Sequence, residues 1–451
     1  MRQVYKGLRA LAYRPLLRTY TMTHSSISSQ QAIDSGVQAN SKRYWDTIHH
    51  TCDKWGATPD GGMNRLALND DDKSVRNWFI DEVKSLGCKV TVDSMGNIFA
   101  VRPGTNNSLA PVGMGSHLDT QPRGGRYDGI AGVQAGLEVL RTLHDNNIQT
   151  YAPVAVVNWT NEEGARFPKA MVSSGVWSGS IPQKDAYALE DINNPGVTFV
   201  GELERIGFKG DTSASYEAVP LSAHFELHIE QGPILEAENI RVGVVSGVQG
   251  MRWYDAEIVG FDAHTGTTPM NRRRDALVAT SEMVLAIEET ANAHNGLGTV
   301  GVINSSPQST NTIPGQVSFS IDVRHTAEDK LDALEKDLFA KLDAIAKKRN
   351  VQFSYNEKWH SRQLNFHPDI VGSLQASADA LGYSSLSIQS GAGHDSCYTS
   401  KRVPTGMLFI PCKDGVSHNP AEYSSPEALA DGVQTLFGAV LRYDELLRSR
   451  A

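Results

Sequence analysis

Four short apolar runs, each ending in polar side chains, constrain the fold of this chain most. They are separated by longer amphipathic stretches, an alternation that is typical of strands and helices in an α/β fold. The runs cover residues 111–115, 153–159, 224–229 and 403–410. In open α/β sheets, ligands bind beyond the carboxyl ends of the strands. We therefore expect the polar residues after these four runs to meet in one site.

A different pattern lies between the third and fourth runs. Its order of strands and helices is β-α-β-β-α-β, which is typical of a ferredoxin-like α+β unit. The predicted elements are strand 251–260, helix 274–294, strands 299–303 and 317–324, helix 326–349 and strand 351–359. A chain of 451 residues also exceeds what one hydrophobic core usually accommodates. We expect a catalytic domain over 34–247 and 363–451, interrupted by an inserted domain over 248–362.

The first 33 residues differ in composition from the rest of the chain. They contain five basic residues and no acid, with apolar residues between the arginines and a Ser/Thr/Gln-rich patch after them. This composition is typical of an organellar transit peptide, and an untied N-terminal tail is the alternative. Met22 is a candidate internal start that would omit the basic part. Residues 1–33 are thus a basic leader or a disordered tail, and the location is cytoplasmic or mitochondrial.

Composition excludes several classes of function. The net charge of −9 argues against a nucleic-acid binder that neutralises phosphates. No apolar run reaches the roughly 18 residues of a membrane span. The four cysteines form no Cys-x-x-Cys pair, so a disulfide framework or a cysteine zinc site is not expected. We expect no nucleic-acid partner, no membrane association and a reducing compartment.

Imidazoles and carboxylates recur at or near the ends of the apolar runs. These are the ligands that a hydrolytic zinc site needs, with a coordination position left for water. Taken alone, a histidine is more often a structural hydrogen-bonding residue, and an aspartate before glycine is more often a turn or cap. Their repetition favours a metal site. The candidates are His117, Asp128, Glu162, Glu163, His228, His394 and His418.

The motifs around these candidates resemble a known family. In order, they are Gly-Ser-His117-Leu-Asp-Thr, Tyr-Asp128-Gly-Ile-Ala-Gly-Val, Asn-Glu162-Glu163-Gly-Ala-Arg-Phe, Glu-Leu-His228-Ile-Glu-Gln-Gly-Pro and Gly-Ala-Gly-His394-Asp. They are similar to the carbamoyl-amidohydrolase branch of the di-zinc aminoacylase and peptidase family. That branch includes N-carbamoyl-L-amino-acid hydrolases, allantoate amidohydrolases and fungal β-alanine synthases. The run from 410 to 427, which contains His418, looks most like the fungal β-alanine synthases.

The resemblance implies a zinc-peptidase-like catalytic domain, with a mixed sheet flanked by helices, and two zinc ions per subunit bridged by Asp128. His117 and His228 would complete one ion, and Glu163 and His418 the other. Mn²⁺, Co²⁺ or Ni²⁺ are possible substitutes for zinc. Such an ion pair polarises a carbonyl and lowers the pKa of water. Glu162, whose side chain points differently from that of Glu163, is expected to be the general base.

The substrate of such an enzyme carries a carboxylate, which requires a positive partner. Arg324 offers bidentate recognition of a carboxylate. The resemblance assigns this role to Arg324, with Asn311, Gln231 and His394 as further substrate contacts and His264 as a donor to the developing oxyanion. Without the resemblance, the simpler interpretations are a surface ion pair for Arg324 and a turn residue for Asn311. For His264 and His394, the simpler interpretation is structural hydrogen bonding. Because Arg324, Asn311 and His264 lie in the inserted domain, they act only if it closes as a lid.

The expected reaction is hydrolysis of N-carbamoyl-β-alanine to β-alanine, CO₂ and NH₃ in pyrimidine breakdown. Allantoate or an N-carbamoyl-L-α-amino acid is the alternative substrate, because the zinc ligands would be the same. An aminoacylase or dipeptidase is less favoured, because His228 stands where peptidases have an acid. A non-catalytic binding homologue is least favoured, since each expected ligand and Glu162 are present. The family also implies a homodimer formed through the inserted domain.

Overall fold

Two sheets of different construction dominate the computed structural model, which describes residues 26–451. Before residue 250 the strands are β1 (Ile27–Ser28), β2 (Lys89–Val92), β3 (Ile98–Arg102), β4 (Val112–His117), β5 (Ile148–Gln149), β6 (Val154–Trp159), β7 (Glu190–Asp191), β8 (Asn194–Thr198), β9 (Ala223–Ile229) and β10 (Val242–Val248). The helices of this part are α1 (Ser29–Asp34), α2 (Ser41–Lys54), α3 (Asp70–Ser85), α4 (Ile130–Asp145), α5 (Val172–Trp177), α6 (Gln183–Tyr187), α7 (Phe199–Ile206) and α8 (Ile234–Ala237).

The remaining elements fall into two groups along the chain. The first group contains β11 (Gly250–Val259), β12 (Ala263–His264), α9 (Ala276–Ala293), β13 (Leu297–Thr299), β14 (Ile303–Ser306), β15 (Thr312–Ile313), β16 (Gln316–His325), α10 (Glu328–Arg349) and β17 (Gln352–Ser361). The second group contains β18 (Leu364–Asn365), α11 (Pro368–Ala380), β19 (Ser385–Ser390), α12 (Ser396–Thr399), β20 (Thr405–Ile410) and α13 (Pro426–Ser449).

The four apolar runs form adjacent strands of one sheet, in the order β20-β9-β4-β6. All three pairings between them are parallel, so their carboxyl ends lie at one edge, as the sequence predicts. Flanking pairs such as β3 with β6 are antiparallel, which makes the sheet mixed. Residues of these strands are fully buried because helices, among them α4 and α13, pack against the sheet. The predicted α/β class with a mixed sheet is therefore confirmed.

The second sheet has the strand order β17-β11-β16-β13, with β14 also paired to β16, and its pairings are antiparallel. Helices α9 and α10 contribute to its separate core. This is the ferredoxin-like arrangement that the sequence predicts. The single strand expected over 299–303 is wrong, because the backbone is interrupted between β13 and β14, where the Ser320 hydroxyl accepts the N–H of Val302. The domain boundaries at 248 and 362 stay a prediction, supported by this separate core.

The N-terminal boundary requires a correction. The sequence predicts a leader or tail over residues 1–33, but β1 pairs with β5 and α1 contacts α13. Ser28 caps α1, and the buried hydroxyl of Ser29 donates to Asp444 at 2.6 Å. The folded body thus includes residues from Ile27 onward, and the basic part of the expected leader lies outside the described residues. Among residues 26–451, no helix has the length and apolar character needed to cross a bilayer.

Candidate active site

The carboxylate of Asp128 lies at the centre of the site, and its two oxygens have different partners. Oδ1 lies 3.1 Å from Nε2 of His228 and 3.5 Å from Nε2 of His117. Oδ2 lies 3.4 Å from Nε2 of His418. The next residue, Gly129, has a φ of 65°, and a Cβ there would lie 2.2 Å from the His117 ring. Glycine at this position therefore allows the imidazole to approach the start of α4.

The rings of His117 and His228 are oriented by backbone carbonyls. Nδ1 of His117 lies 2.9 Å from the carbonyl oxygen of Asp119, and Nδ1 of His228 lies 2.8 Å from that of Ile229. A carbonyl oxygen can only accept, so each Nδ1 carries the hydrogen. When such a ring is neutral, its Nε2 lone pair faces Asp128, which is the orientation that a metal ligand requires.

Glu163 and His418 complete a second group around the other oxygen of Asp128. Nε2 of His418 lies 3.4 Å from Oε2 of Glu163, which also accepts a hydrogen bond from Gln121 at 2.7 Å. The ligand atoms of His117, Asp128 and His228 lie within 4.8 Å of one another, and so do those of Asp128, Glu163 and His418. The two groups share only Asp128. This donor set, with one carboxylate common to two groups, fits a pair of metal ions.

The electrostatics of the site favour positive charge. Burial disfavours the imidazolium of His117, but surrounding carboxylates, led by Glu162, outweigh it and raise its pKa well above the usual range. The hydrogen bond to Asp128 raises the pKa of His418 to about 9. Burial, and then the charge of Asp128, raise the pKa of Glu163 to about 7. Groups whose pKa values are raised by neighbouring carboxylates in this way are suited to hold a cation.

Glu162 lies beside both groups without belonging to either. Its Oε2 is 3.5 Å from Nε2 of His117, and its backbone N–H donates to Oδ1 of Asp119. The side chain is nearly buried, and this burial, together with the carboxylates of Asp395 and Glu163, raises its pKa well above the usual value. A buried carboxylate of raised pKa next to a reacting centre is suited to accept a proton.

A cavity of about 620 Å³ lies between the carboxyl edge of the first sheet and the second sheet. Seven of the candidate residues line it: Asp128, Glu162, Glu163, His228, Gln231, His394 and His418. Arg324 lines it from β16. His394 is buried and packs edge-to-face against His228, with 4.5 Å between the ring centroids. Burial, followed by the charge of His228, lowers the pKa of His394 to about 3. Most candidates from both parts of the chain thus surround one cavity.

His264 and Asn311 lie elsewhere. His264 lies on β12, which pairs with β15, and Asn311 directly precedes β15; both side chains are exposed. His264 accepts the backbone N–H of Gly266 at 3.0 Å, and neither residue lines the cavity. The structure therefore brings these two residues together but does not place them at the carboxyl edge. Their expected roles toward the oxyanion and the substrate stay predictions that depend on movement of the inserted domain.

Sequence reasoning missed Glu422, a buried carboxylate that orients the central aspartate. Its Oε1 accepts the backbone N–H groups of Tyr127 and Asp128 at 2.9 and 3.0 Å. The Ser417 hydroxyl lies 2.8 Å from Oδ2 of Asp128 and 3.2 Å from Oε2 of Glu422. A Cβ at residue 125 would lie 2.1 Å from Glu422, so the glycine there makes room for the carboxylate. The only sequence signals are this glycine and the acid four residues after His418.

Strained backbone accompanies these contacts. Asn161, Met171, Gln231 and His418 have φ values between 52° and 57°, a region that residues other than glycine rarely adopt. Each lies at or next to the cavity. Such conformations are held in place by contacts with the surrounding structure, and they are concentrated at functional sites.

Comparisons with known proteins agree with this geometry. The model of peptidase family M20/M25/M40 matches residues 113–442. The chain is 42% identical over 412 residues to the N-carbamoyl-L-amino-acid amidohydrolase of Rhizobium meliloti, which covers 91% of this chain and 98% of the relative. It is 33% identical over 388 residues to the allantoate amidohydrolase of Bacillus subtilis (strain 168), covering 85% and 93% respectively.

Solved structures give the same result. A hydantoinase/carbamoylase family amidase from Burkholderia multivorans superposes with a TM-score of 0.85 at 44% sequence identity, covering 90% of this chain and 98% of that chain. The family model spans most of the chain, and the relatives align over nearly their full lengths. This chain therefore belongs to peptidase family M20/M25/M40.

Proposed function

We propose that this chain is a metal-dependent hydrolase that cleaves the ureido C–N bond of N-carbamoyl-L-α-amino acids, giving the amino acid, CO₂ and NH₃. The observation that carries the proposal is the single cavity in which Asp128, shared by two ligand groups, faces Glu162 and Arg324. The resemblance to fungal β-alanine synthases predicted N-carbamoyl-β-alanine. The 42% identical relative favours the alternative substrate, because its name specifies N-carbamoyl-L-amino acids.

Two zinc ions are the proposed cofactor. His117, Asp128 and His228 would hold one ion, and Asp128, Glu163 and His418 the other. When bound, such ions polarise a carbonyl group and make water more acidic. Three protein ligands of the nitrogen and oxygen type at each ion suit zinc, and Mn²⁺, Co²⁺ or Ni²⁺ could occupy the same donors.

Glu162 is the proposed carrier of the proton. Its carboxylate takes a proton from the attacking water, whose oxygen forms a bond to the ureido carbon. The same proton then passes to the amino-acid nitrogen as the C–N bond breaks. The released carbamic acid decomposes to CO₂ and NH₃. The burial of Glu162 keeps bulk water from competing for this proton.

Arg324 is the proposed partner of the substrate carboxylate. Asp322 accepts hydrogen bonds from Nε and from Nη2 of this guanidinium, and the carbonyl oxygen of Gly391 accepts one from Nη1 at 2.8 Å. A guanidinium has five N–H donors, so within residues 26–451 one donor on each terminal nitrogen is left for a carboxylate. Among the residues that the structure describes, Oε1 of Gln231 in the same cavity is buried without a partner and could accept a ureido N–H.

A homodimer through the inserted domain is the proposed assembly. The outer side of α9 exposes Leu277, Val278 and Leu285, and the neighbouring sheet edge exposes Leu297 and Ile303. An apolar helix face beside an exposed strand edge is a surface that proteins usually cover. This surface supports the dimer that the family resemblance implies.

Ammonia release from three substrates tests the proposed function. Zinc-loaded protein is supplied in parallel with an N-carbamoyl-L-α-amino acid, N-carbamoyl-β-alanine and allantoate. The proposal requires the first compound to give the highest kcat/KM. Preference for either of the other two would retain the hydrolase and overturn the substrate. No release from any of them by zinc-loaded protein would overturn the proposed reaction.

A further inference from the structure

Two tryptophans on the second sheet expose large aromatic surface to the cavity. Trp253 on β11 and Trp359 on β17 are direct cross-strand partners, and their ring centroids are 5.0 Å apart. Their exposed fractions are 39% and 36%, and both rings line the 620 Å³ cavity that also contains Glu162. Aromatic rings that remain exposed inside a concave site are ready to cover an apolar ligand group.

The alternation of the sheet puts these rings on the same face as Arg324. The side chains of Tyr254 and Ala256 point into the core formed with α9 and α10, so Trp253 points to the opposite face. Met251, two residues before Trp253, shares that face and is paired with Arg324. Side chains of paired residues lie on one face of a sheet. The guanidinium and the aromatic pair are therefore neighbours on one surface above the metal-ligand groups.

The apolar surface continues from the tryptophans into the first part of the chain. Met171, Met251 and Tyr398 line the same cavity, and together with Trp359 they also line an adjoining cavity of about 380 Å³. Met171 packs closely over residue 393, where a Cβ would lie 2.8 Å from its Cε, so the glycine there makes room for the thioether. Thioether side chains adapt to ligands of different shape.

This arrangement discriminates between the candidate substrates. An α-amino acid carries its carboxylate and its side chain on the same carbon, so Arg324 could hold the carboxylate while the side chain lies on the neighbouring rings. N-carbamoyl-β-alanine has no side chain and would leave the rings uncovered. Allantoate has a second polar ureido group in that position, which would lose its hydrogen bonds to water against an apolar wall.

We propose that Trp253, Trp359, Met171, Met251 and Tyr398 form a side-chain pocket, and that the preferred substrates are N-carbamoyl-L-α-amino acids with large apolar side chains, aromatic or thioether. The inference rests on the proposed function and deepens it. The tryptophans act on specificity through contact with the substrate side chain.

Comparison of kcat/KM among three substrates tests the pocket. N-carbamoyl-L-phenylalanine and N-carbamoyl-L-methionine are compared with N-carbamoylglycine, which has no side chain. Contacts made by a side chain in an apolar pocket are expected to raise kcat/KM at least about tenfold over the glycine compound. Equal values for all three, or a preference for the glycine compound, would overturn the pocket while leaving the proposed reaction intact.

Variants connect the preference to the tryptophans. W359A is expected to lower the phenylalanine-to-glycine ratio of kcat/KM about tenfold, and W359F to restore most of it, because the ring is retained. F261A removes an exposed aromatic ring of the inserted domain that does not line the cavity, and should keep the ratio within about twofold. An unchanged ratio in folded W359A would contradict the proposal. If W359A does not fold, W253A provides the same comparison.

Binding to metal-free protein separates this inference from the proposed reaction. Isothermal titration calorimetry compares N-carbamoyl-L-phenylalanine with N-carbamoylglycine in the absence of turnover. Tighter binding of the phenylalanine compound, lost in W359A, would support the pocket even if no substrate were hydrolysed. Equal binding of both compounds, or no binding of either, would overturn it.

Discussion

The E162Q substitution perturbs the proposed proton carrier with the smallest change in structure. Glutamine has the shape of glutamate, and the backbone N–H of residue 162 would still donate to Asp119. The ligand atoms of the two metal groups belong to other residues. We therefore expect the variant to fold and to bind the same number of metal ions as the parent.

The expected loss of rate follows from the role of the carboxylate. A positioned general base contributes about 10²–10⁴-fold to a rate, which corresponds to about 3–5 kcal/mol of barrier. Glu162 is 7% exposed, so bulk water has little access to replace it as proton acceptor. This burial puts E162Q toward the larger losses, and the loss should lie in kcat, because the amide does not remove a substrate-binding charge.

Ammonia release under saturating substrate, together with metal content by atomic emission, measures both quantities on the same sample. E238Q is the matched control: Glu238 is an exposed glutamate directly after α8, and it does not line the cavity. Its activity should stay within about twofold of the parent. An E162Q variant with full metal content and near-parental kcat would refute Glu162 as the base.

Four further predictions concern metal, substrate, assembly and support of the site. Hydrogen bonding to Asp128 raises the pKa of His418 from 6.5 to about 9. The stability that protonated His418 gives the metal-free protein is therefore present below pH 6.5 and disappears as the pH rises through 9. Thermal unfolding between pH 6 and 10 should show this decline, and saturating zinc should abolish it. R324A should lower kcat/KM for carboxylate substrates about 10–100-fold without changing metal content, measured by initial rates and atomic emission; unchanged kinetics would remove Arg324 from the site. L285K should shift the protein from dimer to monomer in light scattering, and a monomeric parent would contradict the proposed interface. E422A leaves two buried N–H groups without an acceptor and should weaken zinc binding about tenfold or more in a competition titration with a chromophoric chelator; parental affinity would show that Glu422 does not position Asp128.

The elements with local signals could be predicted from the sequence. The closing helix begins at Pro426 with Ser425 as its N-cap, as the Ser-Pro pair indicates. Parallel pairing of the four apolar runs follows from their uniform burial and the helices between them. Most candidates that line the cavity follow from the same rule, because they come after those strands, whereas Arg324 lies on β16 and His394 follows β19. A capping box, Ser28 with Gln31, is a further local signal, for the start of α1.

The remaining features depend on contacts between distant residues. The pairing of Trp253 with Trp359 is set by sheet register across more than 100 positions, and no local pattern specifies it. Glu422 reaches Asp128 through a loop whose course depends on tertiary packing. The position of His264 away from the cavity depends on how the second sheet sits over the first, which hydrophobic periodicity does not encode.

Titration of metal against rate tests the central claim most directly. Metal-free protein is loaded stepwise with zinc, and ammonia release from an N-carbamoyl-L-α-amino acid is measured at each occupancy. The account predicts no turnover without metal and an increase that ends at two ions per chain, because two ligand groups share Asp128. Full activity of the metal-free protein, or no activity with two ions bound, would contradict it.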